Sequence, residues 1–122
     1  MNGARSVLVV DDEASLRLLA RLNLEAHGFR VREAASGEEA IEILESYEPD
    51  VLLLDIRMPG VDGWAVLEWL ESNQRLPASR IIVLSAHATG HALDRARRKG
   101  LRYIKKPFRI NELVDAVTKA AA

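Results

Sequence analysis

Three uninterrupted apolar runs, Val7–Val10, Val51–Leu54 and Ile81–Leu84, constrain this chain more than any other feature. A strand with one wet face alternates apolar and polar residues, whereas a strand apolar at every position must be covered on both faces. Weaker runs at Phe29–Val31 and Tyr103–Ile104 add two further strand candidates. Stretches with helical spacing lie between and after them. Leu16, Leu19 and Leu22 mark the first, and His27-Gly28 is its stop signal. Ser36 stands three residues before Glu39, a capping-box spacing, and Ala40, Ile41 and Leu44 continue that second helix. Val66, Leu67 and Leu70 mark the third, which starts at an Asp62-Gly63 turn. A less apolar fourth spans about Ala88–Lys99 and ends at Gly100, and Ile110, Leu113, Val114 and Val117 mark the fifth. A strand–helix unit repeated in this way predicts an α/β sandwich, doubly wound around a parallel sheet.

At 122 residues the chain suits a single domain, 1–122, and no output domain is expected in it. Apolar residues make up 48% and charged residues 29%, a globular rather than a disordered balance. A net charge of −1 argues against a dedicated nucleic-acid binder, which needs a basic excess to neutralise phosphates. The absence of cysteine excludes disulfides, thiolate metal sites and cysteine nucleophiles. No apolar run is long enough to span a membrane and no signal peptide is visible, so a cytoplasmic location is expected.

In a doubly wound sheet, ligands bind beyond the carboxyl ends of the strands. The residues that follow the apolar runs are Asp11 and Asp12, then Asp55, then Ser85, then Lys106-Pro107. Two carboxylates about 4 Å apart repel by roughly 4 kcal/mol at an effective dielectric near 20, so three ionised together call for a cation. A hard oxygen site with few carboxylates and open positions suits Mg²⁺. Lys106 adds a point charge and Ser85 a hydroxyl for phosphoryl oxygens. The chemistry indicated is formation of an aspartyl phosphate on Asp55.

The segments Val9-Val10-Asp11-Asp12-Glu13, Leu54-Asp55-Ile56-Arg57-Met58-Pro59-Gly60-Val61-Asp62-Gly63, Ser85-Ala86 and Lys106-Pro107-Phe108 resemble the receiver domains of bacterial two-component response regulators, chemotaxis regulators among them. The resemblance covers essentially the whole chain. It implies a flavodoxin-like (βα)5 sandwich with strand order 2-1-3-4-5. It also implies direct Mg²⁺ ligation by Asp12, Asp55 and the Arg57 backbone carbonyl, with Asp11 acting through a water. Asp55 is then the phospho-acceptor, Ser85 and Tyr103 form the switch, and the Lys106–Pro107 bond is cis. Implied partners are a sensor histidine kinase or a phosphotransfer protein, an output partner on the surface of the fourth helix, fifth strand and fifth helix, and a phosphorylation-dependent homodimer. The signalling role is not that of a conventional enzyme. The alternative is a receiver-like interaction module that works without phosphorylation. A phosphohydrolase of the haloacid-dehalogenase type needs Asp-x-Asp where this chain has Asp11-Asp12-Glu13, and a nucleotide fold needs a glycine-rich loop that is missing here.

Other features carry less chemistry. Trp69 lies off the apolar face of the third helix and is expected to pack on a neighbouring loop. His27, His87 and His91 lack metal-ligand spacing and read as surface residues, although His87 and Arg57 flank the phosphorylation site. From His91 to Arg109 there are eight basic residues and one acid, Asp94. That stretch is a solvated face or a surface for an acidic partner segment. Gly100-Leu101-Arg102-Tyr103 is one residue shorter than the corresponding family segment and has Leu101 where a small residue is usual, which predicts altered packing at the end of the fourth helix.

Overall fold

A computed structural model describes residues 4–86 and 90–122. Five strands, β1 (Ser6–Val10), β2 (Arg30–Ala34), β3 (Val51–Asp55), β4 (Ile81–Ser85) and β5 (Arg102–Lys105), form one parallel sheet of order β2-β1-β3-β4-β5. Helices α1 (Ala14–Ala26), α2 (Gly37–Leu44), α3 (Gly63–Ser72), α4 (Gly90–Arg98) and α5 (Ile110–Ala121) follow the strands in turn. This is the doubly wound, flavodoxin-like arrangement expected. His87, to which the sequence assigns a flanking place, lies outside the described residues.

All residues of β1, β3 and β4 are buried, as continuous apolarity requires. Their side chains alternate between two cores. Val7, Val9, Val51, Leu53, Ile82 and Leu84, joined by Ile104 of β5, pack with α1 and α5, whereas Leu8, Val10, Leu52, Leu54, Ile81 and Val83 pack with α2 and α3. β2 extends beyond Phe29–Val31 to Ala34, through exposed Arg32 and half-buried Glu33. As an edge strand it is half covered, so its apolar run is broken.

The buried stripe of α1 differs from the spacing Leu16, Leu19, Leu22. The helix turns Ala20 and Leu24 into the core, with Leu16 packed against it, while Leu19 and Leu22 are 49% and 58% exposed. A helix with leucine on every side has no single apolar face to read. Ala20 decides the matter, because a small residue lets the helix lie close to the sheet. Elsewhere the local signals act as expected. Ser36 Oγ accepts from the Glu39 N–H at 3.1 Å, and Glu39 reaches back to the Ala35 N–H. Asp62 caps α3 by accepting from the Ala65 N–H at 2.9 Å. His27 is the C-cap of α1, followed by Gly28 in the left-handed region. Trp69 is partly buried, with the Arg75 guanidinium of the following loop 5.8 Å from its ring centre. Leu101 packs against the α2/α3 core, and the shorter segment still delivers Tyr103 into register with Val83.

Candidate functional site

The period-2 geometry of the strands builds the site. Asp11 continues the row Val7, Val9, and Asp55 continues Val51, Leu53, both on the α1/α5 side of the sheet. Lys106 continues the row of Ile104 on that side. Ser85 extends the opposite row, Ile81 and Val83, against which Tyr103 also packs. The carboxylates and the ammonium therefore meet on one side of the strand ends, and the hydroxyl and Tyr103 belong to the other.

Lys106 Nζ donates to Asp11 Oδ2 at 2.7 Å and lies 3.5 Å from Asp55 Oδ2, joining residues 95 positions apart in the chain. The Lys106–Pro107 peptide bond is cis, and the Lys106 N–H donates to the Ser85 carbonyl at 2.8 Å. Asp11 is fully buried and Asp55 is 4% exposed, while Asp12 is exposed. Carboxylate oxygens of Asp11, Asp12 and Asp55 all lie within 4.8 Å of one another. Asp11 Oδ1 accepts from the Glu13 N–H at 2.9 Å, and Asp55 Oδ1 accepts from the Arg57 N–H at 3.2 Å. Arg57 itself is exposed, on the turn after β3.

Burial pushes the Asp55 carboxyl up to about 6, and the neighbouring Asp11 charge adds to the rise; Lys106 offsets only part of it. Burial also works against the charged form of Lys106. Its bond to Asp11 and the attraction of both carboxylates outweigh that, and its pKa is raised. The site thus holds more negative charge than one ammonium neutralises. Oxygen donors at this spacing, under-neutralised, fit a small hard dication, so Asp11, Asp12 and Asp55 could hold a metal ion.

Sequence reasoning missed the braces around these groups. Arg17 Nη1 donates to the Asp11 carbonyl at 2.7 Å, and its Nε pairs with Glu33 at 3.1 Å. Arg21 joins the same Glu33. A helix arginine six residues past a strand-end aspartate is the only signal, and it is a weak one. Gly63 is a second case. A Cβ there would stand 2.5 Å from the Asp55 carbonyl oxygen and 2.7 Å from Ile56 Cα, so α3 starts in close contact with the strand that carries Asp55. A third is the Arg95 guanidinium, 4.0 Å from the Trp64 ring centre. The pair lines a cavity of about 640 Å³ between α4 and the loop after β3, with Met58, Ser85 and His91 on its wall.

Residues 7–118 match the family described as the response regulator receiver domain. The chain belongs to that family. It is 42% identical over 119 residues to the positive alginate biosynthesis regulatory protein of Pseudomonas aeruginosa, covering 95% of this chain and 47% of that protein. It is 32% identical over 114 residues to sporulation initiation phosphotransferase F of Bacillus subtilis, covering 93% of this chain and 90% of that protein. The receiver domain of the Francisella response regulator 1452 superposes with a TM-score of 0.86 at 28% identity, covering 96% of each chain. The chain spans between 24% and 57% of the length of the first relatives it matches. Receiver domains are signalling modules of two-component systems. No helix among the described residues is long and apolar enough to cross a membrane.

Proposed function

We propose that residues 1–122 act as one receiver domain that takes a phosphoryl group onto Asp55 from the phosphohistidine of a sensor histidine kinase or phosphotransfer protein. The observation that carries this reading is Lys106 Nζ set between Asp11, at 2.7 Å, and Asp55, at 3.5 Å. A carboxylate kept only as a helix cap or turn residue has no need of a lysine from the far end of the chain.

Asp55 Oδ attacks phosphorus in line, the P–N bond to the donor imidazole breaks, and the imidazole leaves with the electron pair and takes up a proton. Asp12, Asp55 and the Arg57 carbonyl are the groups that would hold Mg²⁺, with Asp11 in support. Bound Mg²⁺ supplies the positive charge that offsets repulsion between phosphoryl oxygens and a carboxylate nucleophile. Lys106 turns from Asp55 to a phosphoryl oxygen and pairs with the negative charge carried there. An apolar hollow of about 430 Å³ beside Lys106, lined by Leu16, Leu19, Pro107 and Phe108, gives a donor protein a face to dock on.

The aspartyl phosphate carries roughly −1.5 to −2 charge where the ionised carboxylate carried −1. Ser85, at the end of β4, donates its hydroxyl to a second phosphoryl oxygen, and Tyr103, in register two residues back along β4, follows into the space vacated. Reversing a 1:99 equilibrium takes about 5.5 kcal/mol, and a charged hydrogen bond supplies roughly 1.5–3 kcal/mol. Ser85 and Lys106 are both needed. The output partner, or a second phosphorylated copy, then reads the surface of α4, β5 and α5.

Intact-mass measurement after acetyl phosphate treatment tests the reading. The wild type gains one phosphoryl group only with Mg²⁺ present, and Asp55→Asn gains none. Labelling of Asp55→Asn to the wild-type level would refute the assignment. Ser85→Ala should still be labelled, while the Tyr103 amide resonance stays at its unphosphorylated position; an unchanged Tyr103 response would remove Ser85 from the switch.

A further inference from the structure

The net charge of −1 conceals a separation of charge between two segments, one beside each edge of the sheet. From Gly37 to Asp50 there are six acidic residues and no Lys or Arg, and from His91 to Arg109 eight basic residues and one acid. The first segment is α2 and the turn after it, packed at the β2 edge. There Arg32 lies over Tyr47 and Arg75 donates to the Leu44 and Glu45 carbonyls, leaving the carboxylates of Glu42, Glu45 and Glu48 outermost. The second is α4, β5 and the entry to α5, at the β5 edge. Glu42, Glu45 and Glu48 are exposed on one side and Arg97, Arg98 and Lys105 on the other. None of these six forms an ion pair among the described residues.

Helix dipoles account for only part of the pattern. Glu38 and Glu39 suit the first turn of α2, and Arg97 and Arg98 suit the last turn of α4. Glu45 is the C-cap of α2 and Arg109 the N-cap of α5, each with the charge its helix end disfavours. Nor do the two edges neutralise each other within one molecule. Four strand spacings separate them, about 19 Å, which is roughly twice the screening length at 0.1 M salt.

We propose that the acidic α2 edge of one copy docks on the basic α4/β5 edge of a second copy. The contact joins two different surfaces, so it does not close on itself, and copies add in open rows instead of stopping at a symmetric dimer. Because exposed charges carry it, the association is weak and salt-dependent. It requires neither phosphorylation nor a metal, so its failure leaves the reading of Asp55 untouched.

Sedimentation equilibrium over a concentration series supplies the test, with folding of each variant checked by circular dichroism. At about 10 mM ionic strength, where the screening length is about 30 Å, the wild-type weight-average mass should climb past twice the 13.6 kDa chain. At about 0.5 M salt it should return to that of one chain. E42Q/E45Q/E48Q and R97Q/R98Q/K105Q should each stay at one chain, whereas their equimolar mixture should level off at two. The mixture is the decisive arm, since each variant keeps the edge that the other lacks. A wild type that stays at one chain in low salt overturns the proposal. So does either variant associating alone as the wild type does, or a mixture that stays monomeric while the wild type associates.

Discussion

Replacing Asp55 with asparagine should make the metal-free protein more stable. Asp55 is 4% exposed, and its pKa rises from 3.8 to about 6 because burial and the Asp11 charge disfavour its ionised form more than Lys106 favours it. At about 1.4 kcal/mol per pH unit, that rise corresponds to roughly 3 kcal/mol of destabilisation once Asp55 is ionised. Asparagine keeps the shape and an oxygen to accept the Arg57 N–H, and removes the charge. Urea unfolding in EDTA at pH 7.5 should therefore place Asp55→Asn about 1–3 kcal/mol above the wild type, and thermal unfolding about 4 °C higher per kcal/mol.

The pH dependence of that gap is the sharper check. Below the unfolded-state value of 3.8 the aspartate is protonated in both states, and the two proteins should match. As pH rises, the unfolded chain releases its proton first and the folded chain holds it until about 6, so the wild type loses relative stability across that window. Above it the gap is constant. Added Mg²⁺ should raise the wild type and leave Asp55→Asn nearly unchanged, which narrows the gap again. An Asp55→Asn protein no more stable than the wild type in EDTA, or a gap equal at pH 4 and pH 7.5, would refute the charge balance assigned to the site.

Three further substitutions probe the frame. Lys106→Ala leaves the fully buried Asp11 carboxylate without its 2.7 Å partner and should cost about 3 kcal/mol in EDTA, measured by urea unfolding. Gly63→Ala forces a Cβ to within 2.5 Å of the Asp55 carbonyl oxygen; it should destabilise by about 1–3 kcal/mol and slow labelling by acetyl phosphate. On α1, Leu22→Ser should change stability by less than about 0.5 kcal/mol and Leu24→Ala should cost about 2–5 kcal/mol, and equal effects would contradict the stripe that buries Ala20 and Leu24.

That last pair marks where the sequence is and is not legible. Strands β1, β3 and β4 could be read because burial on both faces leaves one composition, and β2 was read short because an edge strand tolerates Arg32 and Glu33. The caps at Ser36 and Asp62 were legible for a related reason, since a side chain that satisfies a nearby N–H does so through local chain geometry alone. The face of α1 was not, because choosing among its leucines depends on what the sheet and α5 present to it. Burial of Ala20 is a fact about the distance between two layers, and no pattern within α1 encodes it.

The site divides along the same line. Asp11 follows β1, and Asp55 and Ser85 end β3 and β4, strands whose register the sheet sets, so counting residues along each run locates them. Lys106 follows β5, and its contact with Asp11 spans 95 residues, yet the parallel order of the sheet brings both to one edge without any local signal. The Arg17–Glu33–Arg21 group and Gly63 were invisible because their roles are relational: one holds the loop of Asp11 from behind, the other admits α3 beside Asp55. The acidic and basic groups of the site are therefore placed by the sheet, and the residues that keep them from relaxing apart are placed by packing. Asp55→Asn should therefore abolish labelling with no loss of stability, whereas Gly63→Ala should lower both together.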